Sequence, residues 1–264
     1  MDLQLRGRRA LVTGSTAGIG YATARMLATE GATVYLNGRS EERVEAAVAV
    51  LRSSVAQGEI HGIAADLGTA DGCTVLTEAL PDVDVLVNNL GIFEPRPFGD
   101  ITDSDWLRFF EINVMSGVRL SRHYLPRMRE RNWGRVVFVS SESGVQIPVE
   151  MIHYGMTKTA QLAIARGLAE TTISSGVTVN SVLPGPTASE GVETFVEQMA
   201  EARGVDLKAM EREFFATARP TSLLQRFATP DEVASMIVYV CSAAASATNG
   251  AALRVDGGTV RSIV

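Results

Sequence analysis

The chain has 264 residues, 46% hydrophobic and 20% charged, with a formal net charge of -6. That length suffices for one large α/β domain, and no break in composition divides it. The acidic balance, with no Lys/Arg run on one element, argues against nucleic acid as a partner. No apolar run reaches the roughly 18 residues of a membrane span, and Met1 to Arg9 is polar without an apolar stretch behind it. Cys73 and Cys241 lie far apart without metal spacing, which suits a reducing compartment. A soluble, cytoplasmic protein that meets small molecules is expected.

Ala10 to Thr13 reads as the end of a first strand. Ile19 to Glu30 has the apolar spacing of a helix (Ile19, Ala22, Met26, Leu27) closed by Gly31. Between them runs Thr13-Gly14-Ser15-Thr16-Ala17-Gly18-Ile19-Gly20. In such a turn Gly14 permits the bend, Gly18 admits a pyrophosphate to the backbone and Gly20 lets the helix pack closely, its free N–H groups meeting the phosphates. Ala32 to Leu36 is a second strand, followed by Asn37-Gly38-Arg39-Ser40. An acid there would accept from the ribose hydroxyls of NAD. None is present, and Arg39 can pair with a 2′-phosphate. NADP is the expected cofactor, with NAD second.

Further along, Glu41 to Leu51 reads as a helix, Ile60 to Ala64 as a strand, and Val83 to Val87 as another strand ending in Asn88-Asn89-Leu90-Gly91. Asp103 to Arg131 is helical with an interruption near Asn113. Arg135 to Val139 is a strand of buried type, and it feeds a loop with Ser140 and Ser141. On the helix Ile152 to Thr172, Tyr154 and Lys158 are four apart and share a face. An ammonium beside a phenol favours the phenolate, so Tyr154 could exchange protons while the Ser141 hydroxyl holds a substrate oxygen. Val177 to Leu183 is a strand ending in Pro184-Gly185-Pro186-Thr187. Two helical spacings follow (Val192, Phe195, Val196, Met199; then Leu207, Met210, Phe214, Phe215), and a last helix (Asp231 to Val240) and strand (Ala251 to Val255) complete the chain. His61, His123 and His153 are isolated from one another, and no metal site is expected.

The glycine turn, the Asn-Asn-Leu-Gly segment, Ser141 placed thirteen residues before Tyr154, Tyr154-x-x-x-Lys158, Pro184-Gly185 and Asp256-Gly257-Gly258 fall in one order along the chain. Together they resemble the short-chain dehydrogenase/reductase superfamily, in its main subgroup. The resemblance implies a doubly wound, Rossmann-type parallel sheet of about seven strands with helices on both faces, in a single domain over residues 1–264 with a substrate lid at about 188–220. It implies reversible hydride transfer between NADP(H) or NAD(H) and a carbonyl or secondary alcohol. Asn113, Ser141, Tyr154 and Lys158 would be catalytic, with Lys158 lowering the Tyr154 pKa and binding the nicotinamide ribose, and Asn113 holding a water that links Lys158 to solvent. Gly14, Ser15, Thr16, Gly18, Ile19, Gly20 and Arg39 would cradle the cofactor. Asp66 and Leu67 would meet its adenine, Asn89 and Gly91 would flank it, and Pro184, Gly185 and Thr187 would reach its nicotinamide end. Asn88 would tie neighbouring strands. A homotetramer is implied as well.

The pocket itself reads as largely apolar, from Phe93, Ile147, Pro148, Met151, Phe195, Met199, Phe214 and Phe215, so a medium-sized apolar ketone is expected over a free sugar. Glu142 and Gln146 would favour a hydroxylated or amino-bearing substrate if turned inward; a surface-facing Glu142 is the plainer reading. One alternative is a 3-oxoacyl-thioester reductase, with Arg127, Arg129 and Arg131 meeting an acidic carrier protein. Another is a nicotinamide-sensing regulator without catalysis, against which the retained Tyr154 and Lys158 stand.

Overall fold

The computed structural model describes residues 2–56, 58–189, 191–192, 200–201, 203–204 and 206–263. Its sheet is built from β1 (Arg9–Val12), β2 (Thr33–Gly38), β3 (Ile60–Ala64), β4 (Val85–Asn88), β5 (Gly134–Val139), β6 (Val177–Pro184) and β7 (Ala252–Val255). The order is β3-β2-β1-β4-β5-β6-β7, all parallel. The chain winds outward from β1 to β3, then returns to the other side of β1 and winds out again. That reversal opens a crevice at the carboxyl ends of β1 and β4, where such sheets bind their ligands. Strands covered on both faces need continuous apolar runs, and β4, β5 and β6 are buried along their whole length.

One face is covered by α1 (Gly18–Thr29), α2 (Glu41–Ser54) and α8 (Pro230–Cys241), whose Leu27, Val48 and Ile237 join Val12, Val34 and Val85 of the strands. On the other face lie α3 (Ala70–Ala79), α5 (Ser116–Glu130) and α6 (Ile152–Glu170), which contribute Leu76, Leu120 and Ala165. The helix α3 has no counterpart in the sequence reading. It opens on Thr69, whose hydroxyl accepts from the Gly72 N–H, and Gly72 packs so closely on Asp66 that a Cβ there would stand 2.0 Å from the Asp66 carbonyl oxygen. The Asp103 to Arg131 stretch divides into α4 (Asp103–Phe110), a π-turn (Glu111–Met115) and α5. The remaining described helix of the substrate side is α7 (Leu207–Thr217).

Side-chain caps close several helix N-termini, but not those of α1 and α6. Ser40, Thr69, Thr102 and Thr229 cap α2, α3, α4 and α8, and the last two close capping boxes with Asp105 and Glu232. The α1 N-terminus has Ala17 as its N-cap, no side-chain cap and no acid in its first turn, so its leading N–H groups are left for an external anion. Arg135 in β5 is fully buried, and its guanidinium donates to the carbonyls of Gly134, Gly176 and Ser242, tying β5 to the end of α8. Among the arginines considered for a carrier-protein surface, Arg131 pairs with Asp82 at 2.7 Å and Arg127 donates to the His123 carbonyl. Cys73 and Cys241 are both free and buried, and no helix among the described residues is long and apolar enough to cross a membrane.

Candidate active site

Three of the expected catalytic residues converge because β5 ends where α6 begins to pass over it. Lys158, buried on α6, donates from Nζ to the Val139 carbonyl at 2.9 Å and to Gln161 Oε1 at 3.3 Å. Gln161 in turn donates to the Asn113 carbonyl at 2.6 Å. A π-turn shifts the backbone bonding register by one residue, and here it presents the Asn113 carbonyl to α6. The Asn113 side chain accepts from the Ile92 N–H at 2.8 Å and donates to the Ile92 carbonyl and Thr157 Oγ1, both at 3.0 Å. Asn113 thus fastens the loop after β4 to α6. The Gln161 side chain thus joins Lys158 to the Asn113 carbonyl, on which the water was expected. Gln161 was not anticipated, although its place three residues after Lys158 puts it on the same helix face.

Tyr154 is half-buried, with Phe93 edge-on at 6.4 Å and Lys158 Nζ 5.6 Å from its ring centre. Loss of water pushes its pKa above the ordinary 10, and the Glu142 charge pushes the same way; a hydrogen bond from Ser141 and the Arg219 charge oppose them. The Lys158 Nζ, expected to lower the Tyr154 pKa, is turned to Val139 and Gln161. Burial brings Lys158 itself down to about 8, against a smaller upward pull from Glu142.

Ser141 lies in the cleft, whereas the Ser140 hydroxyl is spent on the Lys158 carbonyl at 2.8 Å. Ser141 Oγ accepts from the Ser143 N–H at 3.1 Å and donates to Glu142 Oε2. Glu142 is not on the surface. It is 5% exposed and bound through Oε1 to Nε of buried Arg219 at 3.1 Å. Arg219 also reaches Glu150 at 2.9 Å and lies 5.9 Å from the Phe214 ring centre. The inward turn follows from chemistry: a buried carboxylate beside Ser141 is tolerable only where a cation reaches it. That cation comes from a position 77 residues away in the chain, so the local sequence gave no sign of it. Gln146 is exposed.

The cleft has a volume of about 540 Å³ and is walled by Phe93, Met151, Val192, Phe214 and Phe227, with Ser141, Glu142, Tyr154, Lys158 and Arg219 as polar points. Phe215 packs instead inside the cluster with Phe227, at 5.2 Å, and Ile147 is exposed outside the lining. Pro148 is buried before the short turn leading to α6. Phe195, Val196 and Met199 lie outside the described residues.

Residues expected at the cofactor fall into two groups. Ile19, Asn89, Gly91, Pro184, Gly185 and Thr187 line the cleft. The glycine turn frames its mouth: Gly14 and Gly18 hold φ of +58° and +57°, and a Cβ on Gly20 would stand 2.5 Å from Asn89 Nδ2. Asn89 donates to the Thr13 and Gly14 carbonyls, so it ties β4 to β1; Asn88, given that role beforehand, bonds Ser121 of α5. The Ser15 hydroxyl is occupied by the Val12 carbonyl and the Asn37 N–H, and Leu67 is a core residue, so neither side chain faces a ligand. Asp66 is exposed and accepts from the Gly68 N–H. A Cβ on Gly38 would stand 2.7 Å from the Thr16 methyl carbon, so a side chain there would require Thr16 to move, and Arg39 beside it is exposed.

A profile of the short chain dehydrogenase family matches residues 8–200. The chain belongs to that family. As a short-chain dehydrogenase it is an NAD(P)-dependent oxidoreductase. Uncharacterized oxidoreductase YvaG of Bacillus subtilis (strain 168) is 50% identical over 263 residues, covering 100% of both chains. D-beta-hydroxybutyrate dehydrogenase of Cupriavidus necator is 32% identical, covering 97% of this chain and 99% of the relative. L-Sorbose reductase from Gluconobacter frateurii, solved with NADPH and L-sorbose, superposes with a TM-score of 0.94 at 30% identity, covering 100% of both.

Proposed function

We propose that this short-chain dehydrogenase moves a hydride reversibly between NADP and a carbonyl compound or secondary alcohol, with Tyr154 as general acid and base. The observation that carries the reading is the convergence of Ser141, Tyr154 and Lys158 in one cleft beside the glycine turn. When bound, the nicotinamide supplies the hydride acceptor for oxidation or the donor for reduction. Ser141 orients the reacting oxygen. Tyr154 takes the hydroxyl proton as the alcohol becomes a carbonyl and returns it in the reverse direction, so that one hydride and one proton leave or arrive together. Because burial and Glu142 raise its pKa, Tyr154 holds its proton at neutral pH and is ready to donate.

The residues fit the cofactor. The uncapped start of α1 offers N–H groups to a pyrophosphate, and the two left-handed glycines keep side chains out of its path. Preference for NADP is supported by exposed Arg39 next to Gly38, where no acid stands, and by the NADPH in the sorbose reductase. The substrate lid is read at about 188–220, part of which lies outside the described residues; supporting it, Phe214 near the end of α7 and Arg219 after it line the cleft. The assembly is a homotetramer. Supporting this, Ala163 and Gly167 are exposed on α6 with Ile164 and Leu168 half-buried beside them, and a Cβ on Gly167 would meet open space. The test is a panel of ketones, sugars and alcohols followed by nicotinamide absorbance with both cofactors. Turnover of at least one carbonyl with NADPH is expected; none with either cofactor would contradict the reading.

A further inference from the structure

The deep wall of the cleft carries a charge cluster that hydride transfer to a plain ketone does not need. Glu142 takes the Ser141 proton on Oε2 and the Arg219 Nε–H on Oε1, and Arg219 gives Nη1 to Glu150 and to the Ala218 carbonyl. Glu142 follows β5, Glu150 precedes α6 and Arg219 follows α7, so separate segments are brought together to build it.

For a bare carbonyl the cluster is a hindrance. A carboxylate next to the oxygen that must gain negative charge opposes that charge, as its effect on Tyr154 indicates. Ser141 has a single proton, and once it is given to Glu142 the hydroxyl meets a substrate as an acceptor. Nor is a buried ion pair a gain in stability over apolar residues of the same volume. The arrangement is productive when the substrate brings hydrogen-bond donors of its own.

A carboxylate has about four acceptor sites. Ser141 and Arg219 each fill one, and Glu142 faces the cleft. A hydroxyl on the carbon next to the reacting one lies about one hydrogen-bond length from the reacting oxygen. With that oxygen held by the Tyr154 hydroxyl beside Ser141, the neighbouring hydroxyl falls to Glu142. Both carboxylates of the cluster are committed to the one guanidinium, so a substrate carboxylate must displace Glu142 or Glu150 to reach Arg219.

We propose that Glu142, held in place by Arg219, determines specificity: the cleft takes a neutral carbonyl compound or alcohol whose hydroxyl beside the reacting carbon donates to Glu142, and it rejects a carboxylate at that place. The inference rests on the hydride-transfer reading above.

Hydroxyacetone, butanone and pyruvate make a size-matched set that differs in the group next to the carbonyl. The wild type is expected to turn over hydroxyacetone at least tenfold better in kcat/KM than butanone or pyruvate. Glu142→Gln is expected to cut the hydroxyacetone-to-butanone ratio about tenfold and to raise pyruvate relative to both, because Arg219 then faces one carboxylate. Since hydroxyacetone is also the more reactive ketone, binding is measured separately by calorimetry on the NADPH-loaded protein, where alcohols cannot turn over. There 2,3-butanediol is expected to bind at least tenfold tighter than 2-butanol in the wild type, and within threefold of it in Glu142→Met/Arg219→Met, which removes both charges of the pair together. If neither variant folds, the wild-type comparisons decide alone. Butanone turned over as well as hydroxyacetone, pyruvate preferred to both, or equal binding of diol and alcohol would overturn the role of Glu142 while leaving hydride transfer standing. No turnover of any carbonyl would remove both.

Discussion

Lys158, catalytic in the proposed function, is kept at a cost to the fold. A drop from its ordinary 10.5 to about 8 amounts to about 3 kcal/mol against the charged form. Below pH 8 the native protein carries the whole penalty. Between pH 8 and 10.5 the unfolded chain holds the proton and the native chain does not, so this contribution to stability rises with pH. Lys158→Met removes the penalty but leaves the Val139 carbonyl without its donor. Urea denaturation at pH 7 is expected to find the variant as stable as the wild type or up to about 2 kcal/mol more stable, with the difference shrinking toward pH 10.5. A loss above about 2 kcal/mol would refute the burial argument. In the proposed function, Arg39 at the mouth of the site carries the cofactor choice. A charge-assisted bond to the 2′-phosphate is worth roughly 1.5 to 3 kcal/mol, or about one to two decades in Kd. Titration of each cofactor should find NADP the tighter in the wild type and NAD the tighter in Arg39→Asp; equal affinities in the wild type would exclude Arg39 from the phosphate.

Among the elements, the π-turn and α6 act as one piece through Gln161. Gln161→Leu leaves the Asn113 carbonyl and one Lys158 proton unpaired in a dry interior, a loss of about 1 to 3 kcal/mol, and kcat should fall more than cofactor affinity does. A change below about 0.5 kcal/mol with unaltered kcat would mean that the Lys158–Gln161–Asn113 chain is not used. The strands and most helices were legible because parallel strands demand apolar runs and because Tyr154 and Lys158 are a helical turn apart. The break near Asn113 was legible too, though not its π geometry, which depends on what α6 offers the freed carbonyl. The helix α3 was missed because Asp71, Gly72 and Thr74 weaken its propensity, and its start is fixed by packing on Asp66. Glu142 was read as surface because its stabilising partner, Arg219, is brought to it only by the folded course of α7.

At the scale of the whole molecule, the exposed small and apolar side of α6 sets the expectation of assembly. Sedimentation at micromolar concentration should give a tetramer, and a 28.2 kDa monomer would contradict it. In the proposed function, sheet reversal, uncapped α1 and the converging Ser141, Tyr154 and Lys158 serve one reaction, whose proton passes through Tyr154. Tyr154→Phe keeps the ring and its contact with Phe93 and removes only the hydroxyl. The most direct measurement is therefore the kcat of Tyr154→Phe on the best carbonyl found, alongside NADPH affinity by fluorescence. Affinity is expected to stay within about threefold while kcat falls by about 10² to 10⁴, the usual range for a lost general acid. A variant that keeps more than about a tenth of wild-type kcat, short of even the low end of that range, would contradict Tyr154 as the proton donor.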